Sequence, residues 1–379
     1  MTKMSLPASI TRLRPEENND FSQQSFSRVN EIDLLRFCAA MLVLIFHYCF
    51  RGYAADGMTS MPYPLLAPIA QYTHLGVNLF FLVSGFVIMM TASSGDLKKF
   101  VVSRIVRLYP AFWFSCSLTF VVTLLIGGGI YAISFGQYVM NMTMLSGFWD
   151  VPPADGVYWS LLVEMRFYAF VAMVLLLRKI HRMQELCIAW LVVTIALDFF
   201  PSWKLQTVLI TAYAPEFIAG ITMFSVWKKG VTAARIAIIL LAWLVAVQHA
   251  LGQMSTFEHH YHVQLHREIV VGIITFYFGL MFLIAMRRTG RLANRQWMTL
   301  GAMTYPLYLI HQNVGYMIFN VMYPAINPHI LLWGTVLMML ALAYWVHVYI
   351  EKKIAGVLQK CLEGIVLYWN KRALWRKSS

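Results

Sequence analysis

The first long apolar segment of the chain reads DLLRFCAAMLVLIFHYCFRGY over residues 33–53. A helix rises about 1.5 Å per residue, so about 20 mostly apolar residues are enough to cross the hydrocarbon core of a bilayer. Backbone polar groups must be paired in lipid, and a helix pairs them within the segment. The segment therefore predicts a membrane-spanning helix that carries Arg36 and His47 inside its apolar stretch.

Nine more segments of this kind follow along the chain, and Asp198 and Pro201 shorten the fifth of the ten. The nine lie at residues 75–94, 108–128, 158–177, 186–202, 206–227, 234–251, 268–286, 297–321 and 329–350. The pattern predicts an all-α protein, a polytopic membrane bundle of about ten transmembrane helices at residues 33–350. We expect a flexible tail at residues 1–32, without a cleavable signal peptide, and a basic tail at residues 351–379 that lies on anionic lipid head groups.

The composition of the chain excludes a soluble enzyme. Of its 379 residues, 59% are hydrophobic and 12% are charged, and the mean hydropathy is +0.63. A soluble domain has about 25% charged residues to cover its surface. The five cysteines are odd in number and form no Cys-x-x-Cys pair, so we expect neither a disulfide framework nor a zinc site.

The net charge of +13 has a simple origin in the loops between the predicted helices. Three Lys and Arg residues, Arg51, Lys204 and Arg267, fall in one set of alternating loops. Fourteen fall in the other set: Lys98, Lys99, Arg104, Arg107, Arg178, Lys179, Arg182, Lys228, Lys229, Arg235, Arg287, Arg288, Arg291 and Arg295. Because cytoplasmic loops carry the excess of Lys and Arg, the larger set and both termini are predicted to face the cytoplasm. The net charge therefore gives no reason to expect nucleic acid as a partner.

Ionisable residues inside membrane helices are costly and mark functional sites by default. The candidates of this kind are Arg36, His47, Glu164, Arg166, Glu216 and His311. Arg36 and His47 are eleven residues apart, so they share one helix face about 16 Å apart along the axis. Counting residues inward from the helix ends puts Glu164 and His47 at a similar depth, where the carboxylate could pair with the imidazole. Alternatively, Arg36 snorkels to the surface, His47 is a packed residue unrelated to it, and Glu164 forms a structural ion pair with Arg166 or another partner.

Two further groups of side chains are candidate binding sites. Arg104 and Arg107 are spaced i, i+3, so their guanidinium groups could both bind phosphate, although ordinary positive-inside charge also explains them. His259, His260, His262 and His266 lie close together in a predicted loop. Because no convincing set of further metal ligands accompanies them, a solvated loop is favoured over a metal site.

The motifs of the chain, taken together, resemble the acyltransferase 3 family of membrane acyltransferases. The matching segments are NEIDLLRFCAAMLVLIFHY at 30–48, GVNLFFLVSGFVI at 76–88, RIVRLYPAFW at 104–113, YWSLLVEMRFY at 158–168 and TYPLYLIH at 304–311. The likeness extends over about residues 33–350. One departure is Asn78, where the family often has Asp.

This resemblance implies an enzyme of a bacterial inner membrane. It would transfer an acyl group, commonly acetyl, from cytoplasmic acyl-CoA to a hydroxyl of an exopolysaccharide, O-antigen or other envelope glycan. It would need acyl-CoA as donor and no bound cofactor or metal. The site residues implied by the motifs are His47, Glu164 and Arg36 for catalysis, Arg104, Arg107 and Tyr109 for donor binding, and Ser160, Ser84, Tyr305 and His311 in support.

Two mechanisms and one other function fit the same residues. His47 could deprotonate the acceptor hydroxyl, or it could carry the acyl group as an acyl-imidazole. The alternative function is a proton-coupled transporter that uses His47, Glu164 and His311 as a relay. No paired repeat halves of the kind common in transporters are found in the sequence. Dependence on acyl-CoA would separate the enzyme from the transporter.

Overall fold

A computed structural model describes residues 29–54 and 57–364. Its main helices are α1 (Asn30–Ala54), α2 (Gly76–Ala92), α3 (Leu97–Ile126), α4 (Trp159–Leu176), α5 (Met183–Phe199), α6 (Ala214–Lys229), α7 (Ala233–Tyr261), α8 (Arg267–Ala285), α9 (Trp297–Ile310), α10 (Gln312–Met322) and α11 (Pro328–Gly364). The described residues contain no strand, so the predicted all-α class is confirmed. Most of the tail predicted at residues 1–32 lies outside the described residues, as does the end of the tail at 351–379.

Local sequence accounts for where several helices begin. The side chain of Asp96 caps α3 by accepting a hydrogen bond from the backbone N–H of Lys99 at 3.0 Å. Thr232 caps α7 in the same way, and Asn327 caps α11 directly before its first residue, Pro328. Short polar side chains at this position satisfy backbone donors that have no partner inside the helix.

The helix ends lie on two faces of the bundle, as the alternation of the basic loops predicts. On one face the start of α1 meets the segment after α8, where the Thr289 hydroxyl donates a hydrogen bond to Glu31 at 3.1 Å. On the other face the segment after α1 meets α10, because Asn320 donates a hydrogen bond to the Met58 carbonyl oxygen at 2.9 Å. We call the face at the start of α1 the basic face, and the other the opposite face.

Eight described helical segments are long and apolar enough to cross a membrane. Two of the ten predicted segments are not among them, because 206–227 corresponds to the 16-residue α6 and 297–321 is divided into α9 and α10. Helix α6 still joins the two faces. Tyr213 precedes it and lines a cavity near the opposite face, whereas Trp227 near its other end contacts Arg287 of a basic loop at 4.5 Å.

The outside of the bundle is apolar over much of its surface. Large hydrophobic side chains point outward from most of the long helices, among them Leu124, Leu125, Val192, Leu240, Phe276 and Leu337. Soluble monomers rarely expose large apolar patches. Together with the eight long helices, this surface makes the protein a multi-pass membrane protein.

Helices α2 and α6 approach so closely that only glycine fits at their crossing. A Cβ atom on Gly220 would collide with the backbone carbonyl of Leu82, and one on Gly85 would collide with the carbonyl of Phe217. Small residues allow this approach between helices in membranes, where packing takes the place of the hydrophobic effect. The contact fixes α2, which carries site residues, against the centre of the bundle.

We expect Gly220→Ala to lower the free energy of unfolding by about 1–3 kcal/mol, because the backbone of α2 must move to admit the methyl group. The matched control is Gly279→Ala in α8, where no atom of another helix lies within 4 Å of the new Cβ. Thermal unfolding of the detergent-purified proteins measures both effects. Equal stability of the two variants would contradict the tight α2–α6 contact.

Candidate active site

Two cavities lie along α1, one toward each face of the bundle. The basic-side cavity has a volume of about 340 Å³, and the His47 cavity has a volume of about 520 Å³. The basic-side cavity is lined by, among others, Arg36, Phe80, Ser84, Arg104, Arg107, Glu164, Tyr168 and Tyr305. The His47 cavity is lined by, among others, His47, Arg51, His74, Asn78, Trp159, Tyr213, Gln253, Phe257, His260, Tyr261 and Tyr308. Both volumes fall within the range of about 300–1,000 Å³ that is usual for ligand sites.

His47 is held in one orientation by three polar neighbours. Its Nδ1 lies 2.8 Å from the Val43 carbonyl oxygen and 3.3 Å from His311 Nε2, and its Nε2 lies 3.3 Å from Arg51 Nη1. A carbonyl oxygen only accepts and a guanidinium only donates, so these partners assign the proton of neutral His47 to Nδ1. Nε2 therefore carries the lone pair and faces the Arg51 guanidinium. Both residues line the His47 cavity.

His311 lies where α9 ends and α10 begins. Its Nδ1 is 2.9 Å from the Tyr308 carbonyl oxygen, so Nδ1 carries the proton and Nε2 is free to accept from His47. The Tyr48 hydroxyl donates to the His311 carbonyl oxygen at 2.6 Å, and the Tyr316 hydroxyl donates to the His47 carbonyl oxygen at 3.2 Å. These bonds tie the histidine pair to the backbone of both helices.

The backbone of α1 departs from regular α-helical geometry at His47. Residues His47–Arg51 form a π-helical turn inside α1, a feature that is frequent at functional sites. The turn places the two side chains of the i, i+4 pair His47 and Arg51 together.

The predicted pairing of Glu164 with His47 is wrong, because Glu164 lines the basic-side cavity. The Ser84 hydroxyl donates a hydrogen bond to the Glu164 carboxylate at 3.1 Å. The depth count fails because the chain before α4 already lies inside the protein, where Asp155 and Val157 are buried. Helix α4 therefore begins below the opposite face, and Glu164 lies deeper than a count from the surface predicts.

The three arginines that the sequence singles out come together in the basic-side cavity. Arg36 lies over the Phe80 ring at 5.9 Å, and Arg104 is oriented by weak hydrogen bonds of 3.3–3.4 Å to Ser103 and Thr91. Arg107 lines the same cavity. Three guanidinium groups around one small volume form a site for anionic groups, phosphates above all.

Two stacked rings lie between the two cavities. Phe80 lines the basic-side cavity and Tyr308 lines the His47 cavity, and their rings stack with centroids 5.9 Å apart and planes 14° apart. The Tyr308 hydroxyl lies 2.6 Å from the Ser160 hydroxyl, so Ser160 fixes the Tyr308 ring. The stacked pair thus has one ring in the wall of each cavity.

The other predicted site residues lie in different places. Tyr305 lines the basic-side cavity beside Glu164. Tyr109 is not among the described residues that line this cavity, and its hydroxyl donates to the Thr143 carbonyl oxygen at 3.0 Å. The donor-binding role of Tyr109 therefore stays a prediction.

Glu216, Arg166 and the loop histidines are the remaining candidates from the sequence. Asn78 donates a hydrogen bond to the buried carboxylate of Glu216 at 2.7 Å, so a carboxylate lies next to the position where the family often has Asp. Arg166 lies over the Phe148 ring at 5.5 Å and makes no ion pair with Glu164 among the described contacts. Of the four loop histidines, His260 lines the His47 cavity, and the described residues hold no cluster of three metal-ligating side chains.

Asp155 joins the loop before α4 to the start of α10. Its carboxylate accepts hydrogen bonds from the backbone N–H groups of Val157 at 3.1 Å and Asn313 at 3.0 Å. Burial raises the pKa of Asp155 to about 7, and these two bonds and the charge of Arg51 oppose the rise. The link holds the segment after His311 against the loop that leads into α4.

Arg51 and the aromatic lining of the His47 cavity are the parts of the site that sequence reasoning missed. In the sequence Arg51 counts only as a loop charge, although its i, i+4 spacing from His47 places both on one helix face. The aromatic lining comes from distant segments, as where the Phe257 ring stacks on the His74 ring with centroids 4.4 Å apart. No local sequence pattern indicates that pairing.

The fold and the two cavities define a polytopic helical membrane protein with a buried polar site between its faces. Comparison with known proteins shows its class, because the family model described as an acyltransferase domain matches residues 29–348. The chain belongs to the acyltransferase 3 family.

Two curated relatives are similar to part of the chain. Nodulation protein 10 of Rhizobium leguminosarum bv. viciae is 28% identical over 177 residues, which are 41% of this chain and 46% of that protein. Exopolysaccharide production protein ExoZ of Rhizobium meliloti (strain 1021) is 26% identical over 173 residues, which are 41% of this chain and 51% of that protein. The matches thus span about half the length of each relative. No solved structure matches the chain significantly.

Proposed function

We propose that the protein is an O-acyltransferase that moves a short acyl group, commonly acetyl, from acyl-CoA to a hydroxyl of an envelope glycan. The donor binds from the basic face, which is the cytoplasmic face by its Lys and Arg content. The acceptor enters from the opposite face. The observation that carries the proposal is that one helix, α1, lines both cavities, with Arg36 in one and His47 in the other.

The basic-side cavity suits the donor. Arg36, Arg104 and Arg107 offer positive charge to the phosphates of acyl-CoA, and the extended pantetheine arm can reach along α1 past the Phe80–Tyr308 pair. Glu164 and Ser84 lie on the path of the arm and supply hydrogen-bonding groups. This arrangement brings the thioester to the His47 cavity while the charged end stays at the basic face.

His47 and Arg51 supply the groups that the transfer needs. The acceptor hydroxyl gives its proton to His47 Nε2 as its oxygen attacks the thioester carbonyl carbon. The tetrahedral oxyanion accepts a hydrogen bond from Arg51, the C–S bond then breaks, and the His47 imidazolium gives its Nε2 proton to the thiolate of CoA. His47 Nδ1–H stays bonded to Val43 and His311, so the imidazolium is held in place. The same Nε2 could carry the acyl group in a two-step reaction.

The lining of the His47 cavity supports a sugar as acceptor. Trp159, Tyr213, Phe257 and Tyr261 present aromatic rings, and Gln253 and His260 offer hydrogen-bonding groups. Aromatic faces with a few polar groups suit the apolar and hydroxyl-bearing sides of a pyranose. The name of the relative ExoZ, an exopolysaccharide production protein, points to the same acceptor class.

The transporter alternative is not supported. A relay through three groups requires them to be connected, and His47 and His311 are in contact at 3.3 Å. Glu164 lines the other cavity, beyond the stacked Phe80 and Tyr308 rings. Membership of an acyltransferase family points to group transfer instead.

The proposal is tested by supplying the purified protein with labelled acetyl-CoA and envelope glycans. We expect label in an alkali-labile ester on the glycan, formed only when the donor is present. Solute movement without consumption of acetyl-CoA or of any longer acyl-CoA would contradict the proposal. The fraction that takes up label identifies the acceptor.

We expect Arg104→Gln and Arg107→Gln each to raise the KM for acetyl-CoA about tenfold, because each removes a charged partner of a donor phosphate. The value of kcat should change little, since both residues lie away from the transferred carbonyl. Arg182→Gln, which changes an exposed arginine in another basic loop, is the matched control. A fall in kcat with an unchanged KM would contradict the donor-binding role.

A further inference from the structure

A groove on the basic face lies between the start of α3 and the end of α11. We call it the α3–α11 groove. Its volume is about 800 Å³, and it is lined by Lys98, Lys99, Val102, Ser103, Val106, Arg107, His347, Glu351, Lys352, Ala355, Gln359 and Glu363. The groove is larger than either cavity of the candidate active site.

The α3–α11 groove adjoins the basic-side cavity. Ser103 and Arg107 line both, so the two volumes share one wall on α3. A ligand that fills the basic-side cavity and extends outward can therefore continue into the groove.

The size of the basic-side cavity requires such a continuation. At about 340 Å³ the cavity is at the low end of the range of about 300–1,000 Å³ for drug-sized ligands. Acyl-CoA joins an acylated pantetheine arm to a nucleotide with three phosphate groups. The cavity has room for the arm up to its end at the diphosphate, where the arginines lie, and the rest of the nucleotide must lie outside it.

The charges of the groove suit a phosphorylated ligand. Lys98, Lys99 and Lys352 are exposed side chains along it. Its two acidic residues have partners on their own helix, because Glu351 contacts His347 Nδ1 at 2.7 Å and Glu363 accepts a hydrogen bond from Gln359 at 2.9 Å.

The floor of the groove is apolar. Val102 and Val106 on α3 face it together with Ala355 on α11. Small aliphatic side chains offer a flat surface to the purine ring of a nucleotide. The ammonium groups of the neighbouring lysines can reach the phosphates of the same nucleotide.

We propose that the α3–α11 groove binds the 3′-phosphorylated adenosine diphosphate end of acyl-CoA, with Lys98, Lys99 and Lys352 as phosphate partners. This inference rests on the proposed function, since it extends the donor site outward. Arg107 then lies at the junction, between the nucleotide in the groove and the pantetheine arm in the cavity.

The test compares three donors that differ only in the nucleotide: acetyl-CoA, acetyl-dephospho-CoA and S-acetylpantetheine. For the wild-type protein we expect the KM to rise at each truncation. In Lys98→Gln/Lys99→Gln/Lys352→Gln, the KM for acetyl-CoA should rise at least about tenfold, the effect of losing a charged phosphate partner. The KM and kcat for S-acetylpantetheine should stay at the wild-type values.

The matched control is Lys353→Gln, because Lys353 is next to Lys352 on α11 but lies by the Tyr349 ring at 5.9 Å and does not line the groove. A wild-type protein that uses acetyl-CoA and acetyl-dephospho-CoA with equal KM would overturn the inference. So would a triple variant that loses S-acetylpantetheine turnover equally, because the lysines would then be structural.

Two further measurements distinguish a nucleotide in the groove from a lipid head group. Assays in nanodiscs of phosphatidylcholine with and without phosphatidylglycerol vary the lipid charge, and a variant effect confined to the anionic nanodiscs would overturn the inference. Direct binding of adenosine 3′,5′-bisphosphate by calorimetry does not depend on turnover. We expect binding to the wild type and loss of binding in the triple variant. Absence of transfer from all three donors would instead refute the proposed function.

Discussion

His47→Ala should lower acyl transfer to the glycan by about 10²–10⁴-fold, the contribution of a positioned general base. The expected loss is large because His47 Nε2 is the basic atom that the structure turns toward the cavity of the acceptor, with Arg51 beside it. The measurement is the initial rate of labelled ester formation at saturating acetyl-CoA.

The control for this variant is His329→Ala, which changes a histidine that contacts Tyr63 and lines neither cavity. We expect the control to transfer label at the wild-type rate. His311→Gln should have a smaller effect than His47→Ala and should shift the pH–rate profile, because His311 acts by holding His47. Full activity of His47→Ala in correctly folded protein would refute the assigned role.

Arg51→Gln should lower kcat by about 10²–10³-fold, the cost of removing one oxyanion donor from an acyl-transfer site. The Arg51 guanidinium contacts His47 Nε2 at 3.3 Å, and its Nε has no partner among the described residues. Because Arg51 lines the His47 cavity, its guanidinium can donate to the oxygen that becomes negative. The KM for the donor should change little, because the donor phosphates bind at the basic face.

Two comparisons sharpen this prediction. Arg51→Lys keeps the charge but loses the planar fork of donors, so we expect it to recover only part of the activity. Arg267→Gln, on the same face and exposed at the start of α8, should behave as wild type. If Arg51→Gln kept kcat and raised only the KM for the glycan, Arg51 would bind the acceptor instead of the oxyanion.

The fold could be predicted from the sequence because the features that determine it are local stretches of the chain. Apolar runs of about 20 residues predict helices in lipid wherever they occur, and the basic loops between them predict which ends lie together. The cluster of Arg36, Arg104 and Arg107 could also be predicted, since all three lie near predicted helix ends on the same face. Their meeting in one cavity agrees with that reasoning.

The pairing of buried groups could not be predicted in the same way. Counting residues from a helix end assumes that all helices start at one level, and the buried Asp155 and Val157 before α4 break that assumption. The partner of His47 is His311, which depends on the division of one predicted span into α9 and α10. Such breaks are set by tertiary contacts such as the bond from Tyr48 to the His311 carbonyl oxygen.

The central claim is that an acyl group passes along α1 from a donor on one face to an acceptor on the other. Sealed proteoliposomes test it directly, with labelled acetyl-CoA outside, an envelope glycan inside and His47→Ala as the inactive control. Because acetyl-CoA does not cross the bilayer, the external donor reaches only the molecules whose basic face points outward. We predict labelled ester on the enclosed glycan with the wild-type protein. Label that forms only when donor and glycan are on the same side would contradict the account.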